Sequence, residues 1–218
     1  MSRLLYLITD GGRLRLQNKL LYTLQSIVSV AGESISAIQL REQVVGGDYA
    51  QATDAELLEL ARAFHEVCNP AGVKVLINSR VELVERAGVE GVHLGVNSAS
   101  VLDARGMLGE NRTIGYSAHS VEEALDAEEQ GADYVLLSPI FAPFSKSSTR
   151  EPLGINALAD AVSKLNISLF ALGGISPARA AECCRAGATG VAGINYGFGA
   201  ESPQRELKEL LTELEALL

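Results

Sequence analysis

The sequence is poor in the residues that build small stapled or fibrous proteins. Of 218 residues only 3 are Cys and 6 are Pro. The three thiols, Cys68, Cys183 and Cys184, are odd in number and two are adjacent, so no disulfide framework is implied. That pattern suits a reducing, cytoplasmic setting. Positive charge is also scarce: 18 basic residues stand against 27 acidic ones, a net charge of −9. Such a chain lacks the diffuse positive field of non-specific nucleic-acid binding. A small anionic substrate is still allowed, because local Arg, Lys and backbone N–H groups can bind it. No apolar run is long enough for a signal-peptide core or a membrane span, so neither nucleic acid nor membrane is expected as a partner. No cluster of Cys and His has metal-ligand spacing, and there is no P-loop, no nucleophile elbow and no Gly-x-Gly-x-x-Gly after the first strand.

What is present is alternation. Short β-branched apolar runs lie at 4–8, 36–41, 73–77, 89–94, 112–116, 133–138, 168–172 and 190–194. Helical patterns lie at 14–31, 53–69, 80–87, 98–108, 121–130, 156–164, 177–186 and 201–218. In the last of these, Leu207, Leu210, Leu211, Leu214 and Leu218 form one apolar stripe. Ser176-Pro177 reads as a cap followed by Pro in the first turn, and Ser120 with Glu123 has capping-box spacing. Gly72, Gly88, Gly131 and Gly187 each stand where a helix should stop. Eight strand–helix units predict an α/β chain folded over 1–218 as a single-domain (β/α)8 TIM barrel, compact beside the roughly 250 residues typical of that fold.

In such a barrel the chemistry gathers at the C-terminal ends of the strands. Gly173-Gly174 and Gly193-Ile194, after the seventh and eighth runs, suit a phosphate held by backbone N–H groups. Gln39 and Arg41 share the face that points into the barrel. Arg41 needs an anionic partner there, which is either a substrate or Glu42. The loop 139–148, carrying Ser145 and Lys146, suits an anion and a lid. His65 reads as a surface residue and His93 as a hydrogen-bonded structural one. His119 precedes a helix N-terminus, which disfavours the imidazolium and leaves a neutral ring able to accept a proton.

Taken in order, Tyr6-Leu7-Ile8-Thr9-Asp10, Gln39-Leu40-Arg41-Glu42, Asn78-x-Arg80, Gly91-Val92-His93-Leu94-Gly95, Gly115-Tyr116-Ser117-Ala118-His119-Ser120, Ser138-Pro139-Ile140-Phe141…Ser145-Lys146 and Gly173-Gly174-Ile175 resemble the thiamine phosphate synthase superfamily. The resemblance runs from residue 6 to about 195 and implies a (β/α)8 barrel. It implies Gln39, Arg41, Asn78, Ser117, Ser145, Lys146, Gly173, Gly174, Gly193 and Ile194 as substrate- and phosphate-binding residues. One branch joins hydroxymethylpyrimidine diphosphate to a thiazole phosphate and releases pyrophosphate; the other is a thiazole tautomerase.

The chain departs from the synthase pattern where Gln43 replaces a Lys, Ser79 an Asp, and Val96 and Ser98 a Gln and an Asp. The two Asp would bind Mg2+. The tautomerase branch also lacks the Asp after its counterpart of Asn78, and its Ser-His-Ser-x-Glu-Glu-Ala stretch compares with Ala118-His119-Ser120-Val121-Glu122-Glu123-Ala124. The resulting expectation is a tautomerase, an isomerase with His119 as catalytic base and Glu42 beside it. It would use no metal and no organic cofactor, and its partner would be a small phosphorylated thiazole. The synthase, with Mg2+, stands as the alternative, followed by a non-catalytic phosphate-ligand sensor. A homodimer is compatible with the sequence but not specified by it.

Overall fold

The computed structural model describes residues 4–9, 13–42, 52–142 and 150–216. Eight parallel strands close on themselves in chain order: β1 (Leu5–Ile8), β2 (Ile35–Leu40), β3 (Lys74–Asn78), β4 (Gly91–Leu94), β5 (Thr113–Ala118), β6 (Tyr134–Leu137), β7 (Ser168–Leu172) and β8 (Gly190–Gly193). Closure is made by β8 on β1, with Leu5 opposite Val191 and Leu7 opposite Gly193. The helices are α1 (Arg13–Leu16), α2 (Leu20–Ala31), α3 (Asp54–Cys68), α4 (Val84–Ala87), α5 (Val101–Leu108), α6 (Val121–Glu129), α7 (Gly154–Lys164), α8 (Pro177–Arg185) and α9 (Pro203–Glu215). The expected (β/α)8 barrel is therefore the observed one. Among the described residues no helix is long and apolar enough to cross a membrane.

Alternation along each strand separates two cores. Leu5 and Leu7 face outward and join the larger core beneath the helices, with Ile38, Val75, Ile77, Val92, Val135 and Val191. Tyr6, Ile8, Ala37, Leu76, Tyr134, Leu136, Phe170 and Ala192 face inward and fill the barrel. The inner layer mixes large and small residues because the barrel axis is crowded. The register neighbour on the adjacent strand decides which positions must be small, as Tyr134 does for Gly115.

The helix starts follow local chemistry. The Thr53 hydroxyl accepts from Glu56 N while the Glu56 carboxylate accepts from Thr53 N, a complete capping box opening α3. At α6 the Ser120 hydroxyl accepts from Glu123 N, but the Glu123 carboxylate turns back one residue further, accepting from His119 N at 2.7 Å. The expected box is thus half formed, and its other half holds the His119 backbone.

Three helical patterns differ from the sequence expectation. The 14–31 pattern is broken at Asn18, whose φ of 52° interrupts the hydrogen-bond ladder. The 80–87 pattern is a 3-10 turn, Val81–Leu83, followed by the single turn of α4. Both breaks leave the apolar spacing intact, so periodicity does not reveal them. The 98–108 pattern starts later, because Ser100 rather than Ser98 caps α5. Ser98 is engaged at the barrel mouth instead.

A tight inner contact that involves a side chain is made by Gly115 on β5. A Cβ there would overlap the Tyr134 ring at Cζ, Cε1 and the hydroxyl. Gly115→Ala should therefore destabilise the protein by about 1–3 kcal/mol, the range for an overpacked core. Urea denaturation checks this, and an unchanged midpoint would contradict it.

Candidate functional site

The C-terminal ends of the strands carry a connected set of polar side chains. Gln39, at the end of β2, donates from Nε2 to Asn78 Oδ1 at 2.6 Å. Asn78, at the end of β3, donates from Nδ2 to Ser79 Oγ at 2.9 Å. Ser98 donates to the same Ser79 oxygen at 2.8 Å and accepts from Gly95 N–H at 3.1 Å. Ser79 has a positive φ of 62°, and its backbone N–H donates to His93 O at 2.8 Å. These contacts join the loops after β2, β3 and β4 into one polar floor.

Beneath that floor lies His93, 2 % exposed. Its Nδ1 lies 2.8 Å from the Tyr134 hydroxyl and its Nε2 lies 2.8 Å from Ser117 Oγ. The Tyr134 hydroxyl in turn lies 2.8 Å from that of Tyr6, which donates to Gln39 Oε1 at 3.4 Å. Burial, and next to it the charge of Arg41, push the His93 pKa down to about 3. The ring is neutral at any ordinary pH, and both nitrogens are used. The structural reading of His93 is therefore the observed one, with Ser117 as its partner toward the mouth.

Arg41 resolves an alternative left open by the sequence. Glu42 does not pair with it. The Glu42 carboxylate lies 3.3 Å from Arg15 Nε and accepts from the Thr9 hydroxyl at 3.0 Å, and Glu42 is 4 % exposed. Thr9 Oγ1 also accepts from Arg41 N and lies 2.8 Å from Arg41 O, which fixes the backbone that presents the guanidinium. Burial lowers the Arg41 pKa, yet among the described residues no carboxylate lies within ion-pair distance of it. A desolvated cation without a carboxylate is what an anionic ligand site presents.

His119 sits beside β6, with Nδ1 2.8 Å from the Ser138 carbonyl oxygen. A carbonyl only accepts, so Nδ1 carries a proton and donates to it. Gly173 and Gly174 have φ values of 97° and 63°. A Cβ on Gly173 would meet Pro139 Cα at 2.8 Å, and one on Gly174 would overlap the Ala142 carbonyl oxygen. These glycines are therefore required by close backbone approach as well as by conformation. The N–H groups of Gly174, Ile175, Ile194 and Asn195 donate to no protein acceptor among the described residues. Ser145, Lys146 and Gln43 lie outside the described residues.

Tyr6, Tyr134 and Arg179 escaped the sequence analysis. The two tyrosines read as core, and only strand parity combined with the missing side chain at Gly115 would have placed their hydroxyls together. Arg179 donates to Gly174 O at 2.8 Å, and its guanidinium carbon lies 4.7 Å from the Phe141 ring centre, bracing the loops after β6 and β7.

The buried His93 makes stability depend on pH. Its folded-state pKa is depressed below the ordinary value of about 6.5, so the unfolded chain binds the extra proton. The contribution is fully present above pH 6.5 and is lost as pH falls toward 3. Between pH 6.5 and 5, before most carboxylates titrate, about 2 kcal/mol should disappear. His93→Gln should flatten that arm in urea titrations; an unchanged slope would refute the assignment.

The comparisons with known proteins agree on the family. The profile described as thiamine monophosphate synthase matches residues 5–196. The thiamine-phosphate synthase of Chlorobium luteolum is 38% identical over 80% of this chain and 79% of its own length. That of Methanocella arvoryzae is 34% identical over 96% and 95% respectively. Among solved structures, thiamine phosphate pyrophosphorylase from Pyrococcus furiosus superposes with a TM-score of 0.82 at 26% identity, covering 100% of this chain and 98% of that one. These relatives carry the name of a synthase, a transferase. They overturn the expectation of a thiazole tautomerase, and with it the isomerase class. That expectation rested on Ser79 and Ser98 standing where Asp was anticipated, and a lost carboxylate does not by itself define a new reaction. With fold, motif order and relatives in agreement, the chain belongs to the thiamine monophosphate synthase family.

Proposed function

We propose that this protein is a thiamine-phosphate synthase. It moves the pyrimidinylmethyl group of hydroxymethylpyrimidine diphosphate to a thiazole phosphate and releases pyrophosphate. The bond from the pyrimidine's methylene carbon to the diphosphate oxygen breaks, and its electron pair leaves with the diphosphate. The thiazole ring supplies the pair for the new bond. No protein base is required, because the thiazole ring supplies a lone pair and gives up no proton. What the reaction does require is stabilisation of charge on the departing group.

The observation that carries this reading is Arg41. It is a substantially desolvated guanidinium, held by Thr9, with no carboxylate partner among the described residues and close enough to His93 for its charge to be felt there. In this reading Arg41 binds the diphosphate, and Gln39, Asn78 and Ser117 orient the pyrimidine half. The Gly173-Gly174 and Gly193-Ile194 backbone takes the thiazole monophosphate. Ser145 and Lys146 are assigned to the same anion site by the family resemblance alone.

Mg2+ is the ion that the resemblance assigns to the positions of Ser79 and Ser98. The residues present do not fit it as a resident ion. Ser79 and Ser98 are neutral hydroxyls hydrogen-bonded to each other at 2.8 Å. Among the described residues no group of three or more His, Cys, Asp and Glu is placed to hold a metal. Protein sites hold Mg2+ chiefly through carboxylate and phosphate oxygens. The charge on the departing diphosphate is therefore assigned to Arg41 rather than to a protein-bound ion.

Purified protein should release pyrophosphate and form thiamine phosphate only when both substrates are supplied; no product from the pair would overturn the reading. Arg41→Met should lower kcat/KM about 10²–10³-fold, the usual effect of removing one group that stabilises developing charge. Its melting temperature should stay near the parent's, because Arg41 has no ion pair among the described residues. Crystals soaked in inorganic phosphate should show the anion on the N–H groups of Gly174 and Ile194; density elsewhere, with that cradle empty, would count against the assignment.

A further inference from the structure

The hydrogen bonds inside the barrel contain a count of protons that fixes their direction. Four contacts run in series from Gln39 Oε1 to Tyr6, Tyr134, His93 and Ser117, at 3.4, 2.8, 2.8 and 2.8 Å. Four side chains in that series carry one hydrogen each: two phenols, one neutral imidazole and one serine. Both tyrosines are fully buried, and burial raises their pKa values, so the phenols are un-ionised. Gln39 Oε1 can only accept. Its amide is oriented by the Nε2 bond to Asn78 Oδ1 at 2.6 Å.

The Tyr6 hydrogen therefore points to Gln39. Tyr134 must give its own to Tyr6. Tyr134 then has only lone pairs for His93, so the imidazole proton sits on Nδ1. Nε2 is left bare, and Ser117 must donate to it. No hydrogen remains over.

From this order we infer that Tyr6, Tyr134 and His93 form a one-way hydrogen-bond chain that presents Ser117 Oγ to the mouth purely as an acceptor. Ser117 is partly exposed at the end of β5, with its hydrogen turned inward. It selects an N–H or O–H group on whatever ligand lies above it and disfavours an unprotonated phosphate oxygen there. Tyr6, buried on β1 and four strands round the barrel from β5, acts as a positioning residue through three intervening bonds. The inference does not depend on which reaction the site performs.

Tyr6→Phe tests it, because only a hydroxyl is lost. Without the Tyr6 oxygen, the Tyr134 hydrogen has one acceptor left among its contacts, His93 Nδ1. The imidazole proton must then move to Nε2, which donates to Ser117, and the serine hydrogen is released toward the mouth. Long-range 1H–15N spectra of the imidazole read the tautomer directly. In the parent, Nδ1 of His93 should show the protonated-nitrogen shift and Nε2 the bare-nitrogen shift. In Tyr6→Phe the two should exchange. A protonated Nε2 in the parent would reverse the chain and overturn the inference, and this measurement needs no variant to fold. A parent as expected but a Tyr6→Phe protein, folded by its melting curve, with the proton still on Nδ1 would remove Tyr6 from the chain and overturn its role.

Discussion

Everything polar in the barrel depends on one steric constraint, the room that β5 leaves for Tyr134. With no side chain at Gly115, the Tyr134 ring crosses the axis and its hydroxyl arrives between Tyr6 and His93. A buried phenol must find partners or lose the free energy of its hydration. Tyr6 and His93 supply them, and each hands the requirement on to its own neighbour until it reaches Gln39 and Ser117 at the mouth. The inner core is thus a packed layer and a hydrogen-bond relay at once. A side chain at 115 would disturb both.

Much of the fold was legible before any coordinates. The alternation of strand and helix patterns and the glycines between them implied the barrel that is observed. Illegible parts share a cause. The break at Asn18 and the short turn before α4 preserve apolar spacing while changing the backbone, so periodicity cannot register them. Arg41 and Glu42 are neighbours in sequence with opposite charges, and a pair between them was a natural reading. The pairing is decided by Arg15 and Thr9, far away in the chain, which draw Glu42 off to one side.

The reaction class was the least legible feature. Two serines in place of two anticipated aspartates suggested a different enzyme, whereas relatives across nearly the whole chain are synthases. The structure gives the serines an account that needs no change of reaction. Ser98 donates to Ser79, and Ser79 accepts from Asn78, so the pair stands as a neutral, self-consistent network. Losing two negative charges there also lowers the demand for positive charge at the mouth.

The contacts around Phe141 bear on how this barrel can diversify. Ile140 N–H donates to Leu172 O and Phe141 N–H to Gly173 O, Gly174 is pressed against Phe141 and Ala142, and Arg179 closes over the Phe141 ring. Barrels are versatile because their loops are usually free to lengthen or mutate one at a time. In this chain the segment 139–142 after β6 and the start of the loop after β7 are held together. An insertion in either must be accommodated by the other, so descendants of this scaffold would acquire new substrate preferences through paired changes on that side of the mouth. The loops after β3 and β4 meet through the small hydroxyls of Ser79 and Ser98 and are freer to drift.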